Sequence, residues 1–184
     1  MAIQTGKRGR PRAITSDMLA EAACELFLEQ GYEATSVAEI AQRAGIGRSS
    51  FFNYAPGKAE LLWGSLDERI READDSLPAS DVVRSLVQNF APDPLALALA
   101  NAEAMQIEDH LEREGALRMR RIAELAARAL RREGVDQLRA EVWGGAYGAA
   151  VLAAIGSWAS HGAGAEPLAA HLDRALEVLV DPSR

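Results

Sequence analysis

The sequence is poor in the residues on which several protein classes depend. It has one cysteine and three histidines in 184 residues. Cys24 has no possible intrachain partner, so a disulfide framework is excluded and a reducing cytoplasm is the expected setting. Runs of β-branched residues are nearly absent and alanine is abundant, so local preference points to helix almost everywhere. No charged segment followed by an apolar stretch opens the chain, and no secretion signal is expected. Catalytic signatures are missing too. Glu108, Asp109 and His110 are consecutive, and consecutive helical residues point in different directions. His161 and His171 lie in or after a Gly-rich loop without a second ligand pair at metal spacing. There is no nucleophile motif and no phosphate-binding loop. The expectation is a protein that is not an enzyme, with no cofactor and no metal.

Apolar residues make up 48% and charged residues 26% of the chain, which fits a folded globular protein and argues against wholesale disorder. The net charge of −7 speaks against nucleic acid as a partner, but it is unevenly spread. Residues 1–58 carry seven Lys or Arg against six acids, and the remainder carries 13 against 21. Within the first part, Lys7, Arg8, Arg10 and Arg12 stand together without an acid, in a Gly/Pro-rich lead-in that reads as an arm.

Apolar spacing then gives a succession of helices. Thr15 or Ser16 can cap the first, in which Leu19, Ala22, Ala23, Leu26 and Phe27 repeat at helical intervals until Gly31. Ser36 to Glu39 reads S-x-x-E, a capping box, ahead of Val37, Ile40, Ala41 and Ala44. Gly45, Ile46 and Gly47 form a turn before a short third helix from Arg48 to about Tyr54. This is helix-turn-helix spacing. Pro56 and Gly57 precede a fourth helix from Lys58 to near Asp75. Further helices are expected around Val82–Phe90, from Leu95 to about His110, and around Ile122–Leu130 up to Gly134. The last two are expected over Val135–Ser160 and Pro167–Val180. The fold class is all-α, with about nine helices.

A charge-free run from Val142 to Ala159 must be buried by something. It is long enough for a bilayer and contains Gly144-x-x-x-Gly148, a close-packing spacing. It lacks flanking Lys/Arg anchors and is rich in Gly and Ala, which favours a helix-on-helix dimer interface over a membrane.

The stretch TSVAEIAQRAGIGRSSFFNYAPGKAELL, Thr35 to Leu62, resembles the DNA-binding head of the TetR family of bacterial repressors. The likeness rests on the capped second helix, the Ala44-Gly45-Ile46 turn, the Phe51-Phe52-Asn53-Tyr54 end and the Pro56-x-Lys58 entry to the fourth helix. Ala55 and Gly57 depart from the pattern, where a bulky aromatic and a polar cap are common. Physical reasoning agrees with the likeness, because a major groove admits one α-helix and the third helix offers suitable residue types. Arg48 can pair with guanine and Asn53 with adenine. Gly47, Ser49, Ser50 and Tyr54 complete the reading surface. Thr35, Ser36 and Lys58 lie at helix N-termini, where phosphate oxygens are favoured. Arg43 is either a further contact or a solvated charge. Lys7, Arg8, Arg10 and Arg12 suit a minor groove. Phe51 is assigned to the core and Tyr54 to DNA, while Phe52 stands between the two.

The resemblance implies a DNA-binding domain over residues 1–57 and a ligand-binding and dimerisation domain over 58–184. It implies a homodimer through the last two helices, a double-stranded palindromic operator as partner, and a ligand cavity in the body. Bulky apolar residues beside polar ones give Trp63, Leu66, Leu86, Phe90, Asn101, Met105, Trp143 and Tyr147 as candidate lining, although residues of these types are more often plain core. The segment DPLALALANAE and the final Ala-rich helix pair resemble actinobacterial members with acyl-coenzyme A ligands. The function expected is a ligand-responsive repressor released by a small apolar or acyl-type effector. The alternative is a constitutive DNA-binding regulator.

Overall fold

A computed structural model describes residues 15–162 and 164–179. The basic arm with Lys7, Arg8, Arg10 and Arg12 lies outside these residues, as does Val180. The described residues form eleven helices and no strand.

The first three helices follow from local chemistry. In α1 (Ser16–Gln30) the Thr15 hydroxyl accepts from the Met18 N–H at 3.2 Å, and Leu19, Ala22, Ala23, Leu26 and Phe27 are buried. Gly31 ends it with φ of 84°, a conformation in which a Cβ would be strained. The α2 helix (Val37–Arg43) has its capping box: Ser36 Oγ accepts from the Glu39 N–H at 3.2 Å and the Ser36 N–H donates to Glu39 Oε2 at 2.8 Å. Such a cap is worth about 1 kcal/mol. Gly45, with φ of 76°, turns the chain into α3 (Arg48–Phe51).

The body differs from the sequence expectation in two places, which raises the helix number from about nine to eleven. The expected helix from Lys58 to Asp75 is interrupted after α4 (Lys58–Leu61) and resumes as α5 (Gly64–Glu72). At the break the Trp63 N–H donates to Glu60 O at 3.1 Å, a tighter turn that goes with burial of the indole, 2% exposed. After α6 (Ala79–Val87), the expected helix from Leu95 to His110 is divided as well. Asn101 Nδ2 donates to Leu97 O at 2.9 Å and closes α7 (Asp93–Ala100). Gln106, at φ 56°, closes the short α8 (Ala102–Met105). Two long helices follow, α9 (Glu108–Arg132) and α10 (Gln137–Ser160), and then α11 (Leu168–Glu177).

Gly144 and Gly148 face α9, not another copy of the chain. A Cβ on Gly144 would lie 2.4 Å from Ala123 O, and one on Gly148 would lie 2.5 Å from Met119 O. The expectation that this spacing serves a dimer interface is therefore corrected: it brings α9 and α10 together, antiparallel, within the chain. Among the described residues α10 is the one helix long and apolar enough to cross a bilayer, and half of that window is buried inside the structure. Its outward face retains Leu138, Val142, Gly145, Ala149, Ala153 and Gly156.

A single hydrophobic cluster runs from α1 and Phe51 through Trp63, Val82, Leu95, Met105 and Ile122 to Trp158 and Leu172. Polar ties also join α1 and the loop after it to the later helices. Cys24 Sγ donates to Pro94 O at 3.3 Å, the Tyr32 N–H to Met105 O at 2.9 Å, and Ser65 Oγ to Asp17 Oδ1 at 2.6 Å. Arg118, buried on α9, is paired with Asp67 on α5 and with Glu114 one turn back.

Candidate nucleic-acid interface

The exposed end of the helix-turn-helix is built on a buried one. Phe51 is fully buried, and Ile40 and Ala41 of α2 are buried in the same core. With Phe51 inward, its neighbours turn outward: Gly47, Arg48, Ser49, Asn53 and Tyr54 are exposed, and Ser50 is half-buried. The chain leaves α3 by tight turns, with the Asn53 N–H donating to Ser50 O at 3.2 Å and the Tyr54 N–H to Phe51 O at 2.9 Å. Arg48 has no hydrogen-bond or ion-pair partner among the described residues. One exposed stretch thus presents a guanidinium, hydroxyls, an amide and a phenol, the groups that pair with base edges and phosphates.

Phe52 is the residue that sequence reasoning left undecided. It is 52% exposed, and its ring meets Phe51 edge-on at 5.5 Å and 80°. The signal was present in the sequence, because once Phe51 is inward its successor points about 100° away.

Two expected phosphate contacts, Thr35 and Lys58, are placed otherwise, and Arg43, left open between a further contact and a solvated charge, is held in ion pairs. Thr35 is 1% exposed and its hydroxyl donates to Gly31 O at 2.8 Å, so the side chain stitches the α1–α2 loop and cannot reach a phosphate. Lys58 Nζ points back into the head and donates to Tyr32 O and Thr35 O, each at 2.7 Å. Burial pushes its pKa down, against the opposing pull of Glu33 and Glu39. Arg43 is held by Glu25 at 3.1 Å and Glu29 at 2.7 Å, so two acids cancel its charge at the surface. The hydrogen bond from Arg43 in turn holds the Glu29 carboxyl below its ordinary pKa. Ser36 remains exposed at the α2 N-terminus, with its hydroxyl engaged by Glu39 at 2.7 Å. These hydrogen bonds lower the Glu39 pKa.

The eight candidate pocket residues are not gathered around one opening. Trp63, Leu66, Leu86 and Met105 are at most 2% exposed and sit in the common core, and Phe90 and Tyr147 are buried at its margin. Trp143 is half-buried, 6.3 Å from the Tyr147 ring. Asn101 is spent on closing α7. Phe90 alone of the eight lines any of five surface grooves of about 310 to 650 Å³. Trp63 Nε1 is buried and has no acceptor among the described residues.

Comparison with known proteins places this architecture. A family model described as bacterial regulatory proteins of the tetR family matches residues 19–63, from α1 to the turn before α5. YdeS of Bacillus subtilis (strain 168), named as an HTH-type transcriptional regulator, is 30% identical over 143 residues, covering 71% of this chain and 70% of YdeS. The HTH-type transcriptional repressor DrrR1 of Streptomyces coeruleorubidus is 31% identical over 101 residues, covering 54% of this chain and 37% of that protein. Among solved structures, the dihydroxyacetone kinase operon activator DhaS shares the fold, with a TM-score of 0.57 and 18% identity over 90% of this chain and 94% of DhaS. The likeness to YdeS extends well beyond the helix-turn-helix, and with the matched head it shows that the chain belongs to the TetR family of helix-turn-helix transcription regulators.

Proposed function

We propose that the chain is a cytoplasmic, homodimeric repressor that reads a palindromic operator and is released by a small apolar or acyl-type effector. The observation that carries the DNA-reading part is the exposed set Arg48, Ser49, Asn53 and Tyr54 on a recognition helix pinned from behind by Phe51. Gly47, Ser50 and Ser36 flank that set, and the arm residues Lys7, Arg8, Arg10 and Arg12 add salt-dependent affinity from the adjoining groove. Residues 1–57 act as the reading head and 58–184 as the sensing and dimerising body.

Dimerisation is required because one helix-turn-helix reads too few bases, while two related by a twofold axis read half-sites about one turn apart. What supports it is the uncharged outward stripe of α10, where Leu138 is 72% and Val142 64% exposed, and the neighbouring α11. An apolar stripe of that length left in water is unfavourable, and a second copy of α10 and α11 covers it.

Support for the effector comes from Trp63, whose buried N–H lacks an acceptor in the midst of the body. Buried donors of this kind are rare, and a ligand oxygen would satisfy it. The likeness of the Asp93–Glu103 segment to acyl-coenzyme A-responsive members suggests the chemical class to try first.

The experiment is selection of binding sites from random duplex DNA at fixed moderate salt, with wild type and an Arg48→Ala, Tyr54→Ala variant in parallel. A palindrome enriched by the wild type and lost by the variant is expected. Acyl-coenzyme A compounds are then screened for release of that site. Enrichment of no sequence by protein stripped of ligand overturns the operator-reading function, and a site that no ligand releases favours constitutive binding.

A further inference from the structure

We infer that Phe52 reads a thymine methyl group in each operator half-site. The inference rests on the operator-reading function proposed above and adds one base-specific contact to it. Phe52 lies three and four residues after Ser49 and Arg48, so it shares their side of the recognition segment, and it directly precedes Asn53. Half of its surface is open to water in a stretch that also exposes Arg48, Ser49, Asn53 and Tyr54.

A phenylalanine ring has neither donor nor acceptor. Against a phosphate or a polar base edge it would displace water and return no hydrogen bond, leaving that edge unsatisfied. The major groove displays one kind of apolar group, the C5-methyl of thymine. Burying the ring against that methyl removes apolar surface of both partners from water. Position supports the same conclusion. Phe51 is anchored in the core, and its edge-on contact at 5.5 Å gives the exposed Phe52 ring a fixed partner on the protein side. With Arg48 suited to guanine and Asn53 to adenine, Phe52 supplies the discrimination that hydrogen bonds do not provide. Thymine is distinguished from cytosine by a methyl as well as by its carbonyl.

The test uses the full-length protein and the operator obtained by selection. Each thymine is replaced in turn by deoxyuridine, symmetrically in both half-sites, which deletes the methyl and leaves every hydrogen-bonding group in place. The expected result is one position per half-site at which the replacement weakens wild-type binding by about fourfold per site, the scale of one methyl-sized group buried. Phe52→Ala is expected to bind the parent operator more weakly and to be indifferent to the methyl at that position, while still discriminating the bases read by Arg48. Phe52→Leu, which keeps an apolar side chain, is expected to retain part of the methyl dependence. Equal binding of thymine and deoxyuridine operators by the wild type at every position overturns the inference, and so does an undiminished methyl dependence in Phe52→Ala. Failure to select any operator counts against the reading function itself and is thereby told apart.

Discussion

The ammonium of Lys58 sits 4.0 Å from the centre of the Tyr32 ring and donates to the carbonyl of the same residue at 2.7 Å. A lysine at the start of α4 thus stands inside the head and closes the α1–α2 loop. The opposite attachment of that loop is His110 at the start of α9, its ring 4.1 Å from that of Tyr32 and tilted by 38°, with Nε2 3.3 Å from Glu33 Oε1. Replacing Lys58 by Met keeps the aliphatic stem and deletes two charge-assisted hydrogen bonds, leaving the Thr35 carbonyl without that donor and the Tyr32 carbonyl with the Thr35 N–H alone. The expected cost is about 2 kcal/mol in urea unfolding, with DNA affinity reduced through the displaced loop. Lys58→Arg is not expected to restore either, because a guanidinium does not fit a site shaped for a point charge.

Two adjacent glycines of α10, Gly144 and Gly145, separate the inner face from the outer. Gly144→Ala drives a Cβ into the backbone of α9 at Ala123 O, where no side chain can move aside, and a loss of about 1–3 kcal/mol is expected. Gly145→Ala meets nothing within 4 Å in the protomer and, by helix propensity alone, stabilises it by about 0.5–1 kcal/mol. Thermal melts of the two variants check both signs.

On the outer face, Val142→Arg is expected to leave the helical signal unchanged and convert the proposed dimer to a monomer. Sedimentation together with circular dichroism separates the two effects.

His171 gives the hairpin of α10 and α11 a pH dependence. The ring is buried, with Nδ1 3.0 Å from Ser157 Oγ and Nε2 3.4 Å from Glu166. Burial, then Arg174 and more weakly His161, push its pKa below the ordinary 6.5, against the pull of Glu166. The unfolded chain therefore binds this proton more readily than the folded one. The stabilising effect is complete above pH 6.5 and is lost as the pH falls below it through the lowered value. Melting temperature is expected to drop between pH 7 and pH 5, and His171→Gln is expected to flatten that part of the profile.

Cys24 is buried on α1, and burial, with Glu21 and Glu25 nearby, pushes its thiol pKa up to about 12. Thiolate is the reactive form, so the native protein is expected to resist iodoacetamide at pH 8 and to react once denatured. Labelling that proceeds equally in both states would show that α1 opens without global unfolding.

Much of the head was legible in the sequence because its determinants are local. The Thr15 cap, the Ser36–Glu39 box, the Gly45 turn and the inward Phe51 depend on residues within a few positions of each other, and all take the expected form. Thr35 and Lys58 were misplaced because a helix N-terminus suggests a phosphate, while only the fold reveals that Gly31 O and Tyr32 O are nearer. The breaks at Trp63 and Asn101 were hidden for a similar reason. Both segments are periodic enough to continue as helix, and what interrupts them is burial of the indole at one and a side-chain amide bond to Leu97 O at the other. The Gly144 and Gly148 spacing announced close packing without saying which helix would approach.

The continuous core has a practical consequence for anyone exchanging heads between regulators. A seam cut at residue 57 passes through the Lys58 contacts, and it parts Cys24 from Pro94 and Tyr32 from Met105. A grafted head would arrive with α1 facing a wall shaped for another protein. The transplantable unit is the head together with the surface of α7 and α8 against which α1 lies, and chimaeras that carry both are the ones expected to transmit a foreign sensor's signal to this recognition helix.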